Sequence, residues 1–235
     1  RSRDDARMDE DFEYKIYANA QETRIGMAFV ALAIQDSLSN TKVHLNNYGS
    51  RQGDSWHRPN DSYAEIGGQR IAFNIPVVYK EPLPYMWFHY YVNDINLSSV
   101  SVTVDRSRFK FTLAFESDGT EIKGHCTSRF DEGIVCPAGN DDTAPDFQMN
   151  NARLAVYLTP APHGDGRLSY STVAASFTAT VDGEVVGELL DDRVYDAIKS
   201  NTEQKMSELL RRNIVRDAVA TAIQPTLDRN GIRKI

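Results

Sequence analysis

At 235 residues, with 41% hydrophobic and 25% charged side chains, the chain has the make-up of a folded globular protein with enough apolar material for a sizeable core. Its formal net charge of -7 weighs against nucleic acid, or anionic lipid held by bulk electrostatics, as a partner. No run approaches the roughly 20 consecutive apolar residues of a membrane-spanning helix.

The first residues, RSRDDARMDEDFEYK, are charge-dense and have no apolar signal-peptide region; residues 1–13 are expected to be a linker and 14–235 one domain. From Tyr17 to Leu38, Ile25, Phe29, Leu32 and Leu38 approximate helical spacing, and the dense GMAFVALAI segment predicts a helix enclosed by protein on most sides. A short strand is expected over Lys42–Asn47, then a long polar surface loop over Tyr48–Asp61.

Ile71, Phe73, Ile75 and Val77 alternate in a strand that Pro76 places at an edge or end. In YMWFHYYV, Tyr85–Val92, large side chains fill both phases of the period-two pattern, so that strand should be covered on both faces. Ile95 and Leu97 lie in one phase and Val100, Val102 and Val104 in the other, which predicts a β-bulge at Ser98-Ser99. Phe109, Phe111, Leu113 and Phe115 make a clean alternating strand ended by the Asp118-Gly119 turn.

Cys126 and Cys136 flank a turn-like Asp131-Glu132-Gly133. They read as a hairpin-tip disulfide worth up to roughly 3 kcal/mol, or alternatively as two buried thiols. The disulfide reading points to an oxidising compartment. A polar loop over Ala138–Asp146 precedes strands at Leu154–Leu158 and Leu168–Val181, the second with another phase change and a hairpin turn at Asp182-Gly183.

A stripe at four-residue intervals, Leu190, Val194, Ile198, Met206, Leu210, Ile214 and Ala218, then predicts one amphipathic helix from about Asp192 to Gln224. At 1.5 Å per residue it would be about 50 Å long. Asp191 or Asp192 should cap it, Ser200–Thr202 should bend it, and Pro225 should limit its end. Its Lys and Arg residues outnumber its acids, which allows a docking role at anionic membranes but more simply describes a solvated face. The expected class is α+β: a highly curved antiparallel sheet against this helix, enclosing either a solid core or an elongated apolar pocket.

Enzyme motifs are absent: the chain contains no G-x-S-x-G, H-E-x-x-H, Walker loop, G-x-G-x-x-G or C-x-x-C. His125 and Cys126 are adjacent, and neighbours on a strand point to opposite faces. The histidines His44, His57, His89, His125 and His163 lack ligand spacing, and Asp141, Asp142 and Asp165 are explained by turn chemistry. No catalytic residue, metal or cofactor is expected.

The stretches NARLAVYLTPAPHGDGRLSYSTVAASFTATVDG and DAIKSNTEQKMSELLRRNIVRDAVATAIQPTL, within residues 85–228, resemble the tubular lipid-binding (TULIP) superfamily. That resemblance implies a sheet rolled around a long helix with a lengthwise channel for a lipid or sterol. The polar segment Tyr48–Asp61 and the helix break near Ser200 depart from the pattern. A START-like helix-grip fold is the alternative, and it too would bind lipid.

Abundant inward aromatic surface without catalytic residues predicts a soluble, exported lipid-binding or lipid-transfer protein, periplasmic or secreted, with its signal or anchor outside this sequence. Transient contact with a membrane or an envelope protein would accompany that role. The expected pocket walls are Phe29, Trp87, Phe109, Phe111 and Phe115 from the helix and central strands, and Phe177, Met206, Leu210 and Ile214 from the C-terminal third. The competing expectation is a non-enzymatic interaction module of a cell-envelope assembly, with the same elements packed solid.

Overall fold

The computed structural model describes residues 25–52, 55–57, 61–75, 78–82, 86–116, 122–128, 144, 146–183 and 190–231. Residues 1–13, expected as a linker, residues 17–24 of the expected N-terminal helix, the expected turn at Asp118-Gly119, Cys136, Asp141 and Asp142 lie outside the described residues. Within them the protein is α+β: a strongly curled antiparallel sheet, one N-terminal helix and two C-terminal helices.

Helix α1 covers residues 25–37 and leads through a turn into β1 (Lys42–Leu45). The polar segment expected to be a loop contains a small separate hairpin, β2 (Ser50–Gln52) with β3 (Ser55–His57). Next come β4 (Tyr63–Ile66) and β5 (Gln69–Ala72), joined by Gly67-Gly68, both at positive φ, the geometry of a type I′ turn. The alternation of Ile71, Phe73 and Ile75 does not extend one strand to Tyr79: β5 ends at Ala72, and β6 (Tyr79–Pro82) belongs to another part of the sheet.

The centre is built from β7 (Met86–Val92), β8 (Ile95–Asp105), β9 (Arg108–Phe115), β10 (Ile122–Ser128), β11 (Phe147–Pro162) and β12 (Leu168–Gly183). Strand β7 is covered on both faces, Tyr90 and Tyr91 both being buried. The phase change at Ser98 is a bulge: the β8–β9 register shifts between Leu97 and Ser99. The second phase change, between Tyr170 and Val173, lies opposite a shift between Leu158 and Pro160, and a further bulge at Asn151 has positive φ. These irregularities increase twist and help the long strands curl into a half-barrel.

One run of the sheet reads β5-β4-β1-β8-β9-β11, with β12 on the far side of β11. A second arm, β10-β7-β6, joins at the start of β11 through Ile122 opposite Phe147. Asp182 and Gly183 form no hairpin turn; they remain in the β11–β12 ladder opposite Gln148 and Phe147. Asn47, buried beyond the end of β1, ties the wings together: its side chain accepts from Val92 N at 2.8 Å and donates to Ile75 O at 2.8 Å.

The single C-terminal helix is corrected to two, α2 (Asp191–Leu210) and α3 (Asn213–Arg229). The break falls at Arg211-Arg212, where Arg212 is extended, whereas α2 runs unbroken through Ser200. The N-terminal capping position is Leu190, without a side-chain cap, because Asp191 instead accepts from Gly183 N at 2.9 Å. Pro225 does not end the helix: α3 continues through it, and the Thr221 residue whose carbonyl loses its N–H partner is exposed to water.

The face of α1 is also corrected. Ala31, Ala33, Ile34 and Leu38 are buried, while Ile25, Phe29 and Leu32 are exposed at 59%, 66% and 63%. Gln35 Oε1 ties the helix to β8 by accepting from the Val102 backbone N–H at 2.9 Å.

Candidate apolar pocket beneath helix α2

Helix α2 supplies the last stave of the half-barrel. Along β12 its polar side chains satisfy backbone groups: Phe177 N donates to Glu203 Oε1 at 2.8 Å, and Lys199 Nζ donates to Phe177 O at 3.0 Å. Farther along, Tyr170 Oη donates to Leu210 O at 2.6 Å. Toward β6, Asn201 Nδ2 donates to Val78 O at 2.7 Å and Arg193 Nη1 to Glu81 Oε1 at 2.8 Å. The buried Glu81 also accepts from the Tyr79 hydroxyl, and burial together with that carboxylate raises the Tyr79 pKa. The helix thus covers two exposed strand edges, which would otherwise present bare hydrogen-bonding groups.

Its apolar attachment is shallower than that of α3, with Tyr195, Met206, Leu209 and Leu210 packed half-buried against the core. Of the 20 residues of α2 only Val194 and Ile198 are buried, whereas α3 buries Val215, Ala218, Val219, Ala220, Ile223 and Leu227 together with Gln224 and Thr226. Each fully buried aliphatic side chain contributes about 1.5–3 kcal/mol and a half-buried one less, so α3 is the more deeply anchored helix and α2 combines shallower apolar contacts with polar seams. Helix α3 is further fixed by Gln224 Oε1, which accepts from Leu168 N, and by Arg167 Nη1, which donates to Thr221 Oγ1.

Between α2 and the sheet lies a cavity of about 80 Å³. Its bed is apolar, including Val92, Ile95, Phe115, Ile122, Leu154 and Phe177, and its roof is Ile198, Met206 and Leu209. The rim carries Asn74, Asn201, Thr202 and Lys205. Ordinary small-molecule pockets run to about 300–1,000 Å³, so in this form the protein's own side chains fill most of the interior.

Of the expected wall residues, Phe115, Phe177 and Met206 meet at this cavity. Phe109 and Phe111 belong to the same buried core but lie outside the lining. Trp87 is half-buried, with the Lys80 ammonium 4.2 Å from its ring centroid, and Leu210 is half-buried at the end of α2; neither lines the cavity. Phe29 faces outward on α1, and Ile214, 41% exposed at the start of α3, was displaced from the stripe by the break at Arg211-Arg212. Sequence reasoning missed the rim residues: Asn201 and Thr202 read as a bend in the helix and Lys205 as part of its solvated face.

Cys126 is buried in β10, and its expected partner Cys136 lies outside the described residues. His89 is half-buried, and desolvation, with the nearby Lys80 charge, lowers its pKa to about 4. His163 bridges the β11–β12 turn to α3, 3.0 Å from Asp165 and 2.7 Å from Asp217. Asp165 is held down to about 2, chiefly by the Arg167 backbone N–H. Among the described residues no group of three or more His, Cys, Asp or Glu could hold a metal, and no helix is long and apolar enough to cross a membrane.

No family model, no curated protein and no solved structure matches this chain.

Proposed function

We propose that the protein binds a lipid in the apolar trough beneath α2, which acts as its lid; carriage of that lipid as an exported or periplasmic protein belongs to the same reading. The observation that carries it is the contrast between the two helices: α3 is anchored by buried side chains, while α2 is held by shallower apolar contacts and polar seams over an almost wholly apolar bed. An apolar cavity of about 150 Å³ is enough to hold benzene. On this reading the cavity of about 80 Å³ belongs to a closed, unloaded form, and a lipid or sterol would enter as α2 lifts about the Arg211-Arg212 break. Adaptable Met149 and Met206 in the lining suit a site that must repack. A tubular lipid-binding or helix-grip relationship is part of this proposal.

Native mass spectrometry and organic extraction of the purified protein test it. A copurifying hydrophobe, or one loaded with a defined stoichiometry, is the expected result. If nothing is extracted and nothing can be loaded, the reading fails.

The outward row of Ile25, Phe29 and Leu32 favours a second reading, an interaction module of a cell-envelope assembly. That reading predicts a partner recovered from envelope extracts by the wild-type protein and lost with Phe29→Glu.

A further inference from the structure

The charge around the pocket is one-sided. Among the described residues no carboxylate lines it, and Lys205 is the single charged one, at a rim that also offers Asn74 and Thr202. A neutral alcohol or a sterol gains little from a cation there, and a cationic head finds no carboxylate among the described lining residues.

Lys205 Nζ is engaged with Glu208 Oε2 at 2.8 Å, but both side chains are 48% exposed. Such a surface pair is worth about 0–1 kcal/mol, so exchanging Glu208 for an incoming anion costs little. The closed cavity holds no whole acyl chain, and one chain needs less displacement of α2 than two.

We infer, resting on the lipid-binding reading above, that the ligand is a single-chain amphiphile with an anionic head, carboxylate or phosphate, its tail on the Phe115–Phe177 bed and its head at Lys205. Chain and head then act together: the tail displaces α2 side chains from the bed, and the head fixes which end stays at the rim.

Calorimetric titration of the whole protein with dodecanoate, dodecyl phosphate, dodecanol and dodecylammonium, each below its aggregation concentration, tests this. At least one anionic amphiphile should bind about tenfold more tightly than dodecanol, and the better of the two identifies the head. Dodecylammonium should bind most weakly. Lys205→Gln, a change at an exposed position, should bring the anions to within about threefold of dodecanol. Lys110→Gln, which removes the same bulk charge away from the pocket, should leave the preference intact. Equal binding of anions and dodecanol, or a preference unmoved in Lys205→Gln, overturns the head-group inference and leaves lipid binding standing. If none of the four binds, this inference falls, while the lipid-binding reading is decided separately by the extraction and loading test above.

Discussion

Glu203 Oε1 lies 2.8 Å from the backbone nitrogen of Phe177, completing from α2 a hydrogen bond at the outer edge of β12. The same carboxylate meets Lys199 Nζ, whose ammonium also reaches the Phe177 carbonyl. The Lys199 contact and the Phe177 N–H together hold the Glu203 pKa below its usual range against desolvation.

Glu203→Ala should unlatch α2 selectively. We expect a loss of about 1 kcal/mol in global stability, faster amide exchange over residues 191–210, and unchanged exchange over 213–229. Equal acceleration in both helices would contradict the lid-and-anchor division.

At the β4–β5 turn, Gly67 and Gly68 both have positive φ but differ in their surroundings. A Cβ on Gly67 would lie 2.9 Å from Ala222 Cβ on α3, whereas one on Gly68 meets nothing within 4 Å. Gly68→Ala should cost about 1 kcal/mol, the backbone penalty alone, and Gly67→Ala measurably more in denaturant unfolding, because turn and helix must also separate.

His89 supplies a pH dependence of known sign. Its pKa is lowered in the folded state, from an ordinary 6.5 to about 4, so unfolding takes up a proton between those values. Its contribution to stability is present above about pH 6.5 and is lost as pH falls toward 4. Because the ring is only half-buried, the amplitude should be about 1–2 kcal/mol. His89→Gln should flatten that part of the stability-versus-pH curve relative to wild type, as chemical denaturation at pH 4.5 and 7 would measure.

The Tyr90 ring is fully buried and its hydroxyl has no hydrogen-bond partner, while burial raises its pKa strongly. Removing an unsatisfied buried hydroxyl relieves a desolvation penalty of about 1–3 kcal/mol, offset by the small void left behind. Tyr90→Phe should therefore be neutral or stabilising by up to about 1 kcal/mol in thermal unfolding, and a clear loss would show that the hydroxyl is satisfied in solution.

The proposed Cys126–Cys136 crosslink predicts no alkylatable thiol in the denatured, unreduced protein. Reduction should lower stability by up to about 3 kcal/mol.

Much of the sheet was legible in the sequence because strands have a period of two and a bulge reverses that period. Leu97, Ser99 and Val100 announced one bulge, and Tyr170 and Val173 another. The break between α2 and α3 was not legible: nothing in Arg211-Arg212-Asn213 forbids a helix, and the regular four-residue stripe passes straight over it. Pro225 misled in the opposite direction. On α1 the spacing of Ile25, Phe29 and Leu32 suggested the inner face, yet Ala31, Ala33, Ile34 and Leu38 are the buried residues.

The candidate site was half legible. Phe115, Phe177 and Met206 follow from strand and helix phase, but the polar rim and seams depend on pairings distant in sequence. Arg193 and Glu81 are 112 residues apart, and Glu203 and Phe177 are 26 apart. Locally, Lys199 and Glu203 look like any i,i+4 pair on a wet surface.

Because α2 is the piece that covers the free flanks of β6 and β12, the sheet stays sticky until the C-terminal end of the chain arrives. During synthesis those two flanks emerge well before their cover, and a chain cut short of Asp191 would keep them open to pairing with other molecules. The same seams that hold α2 in place therefore also guard those flanks against self-association, and loosening them would expose both.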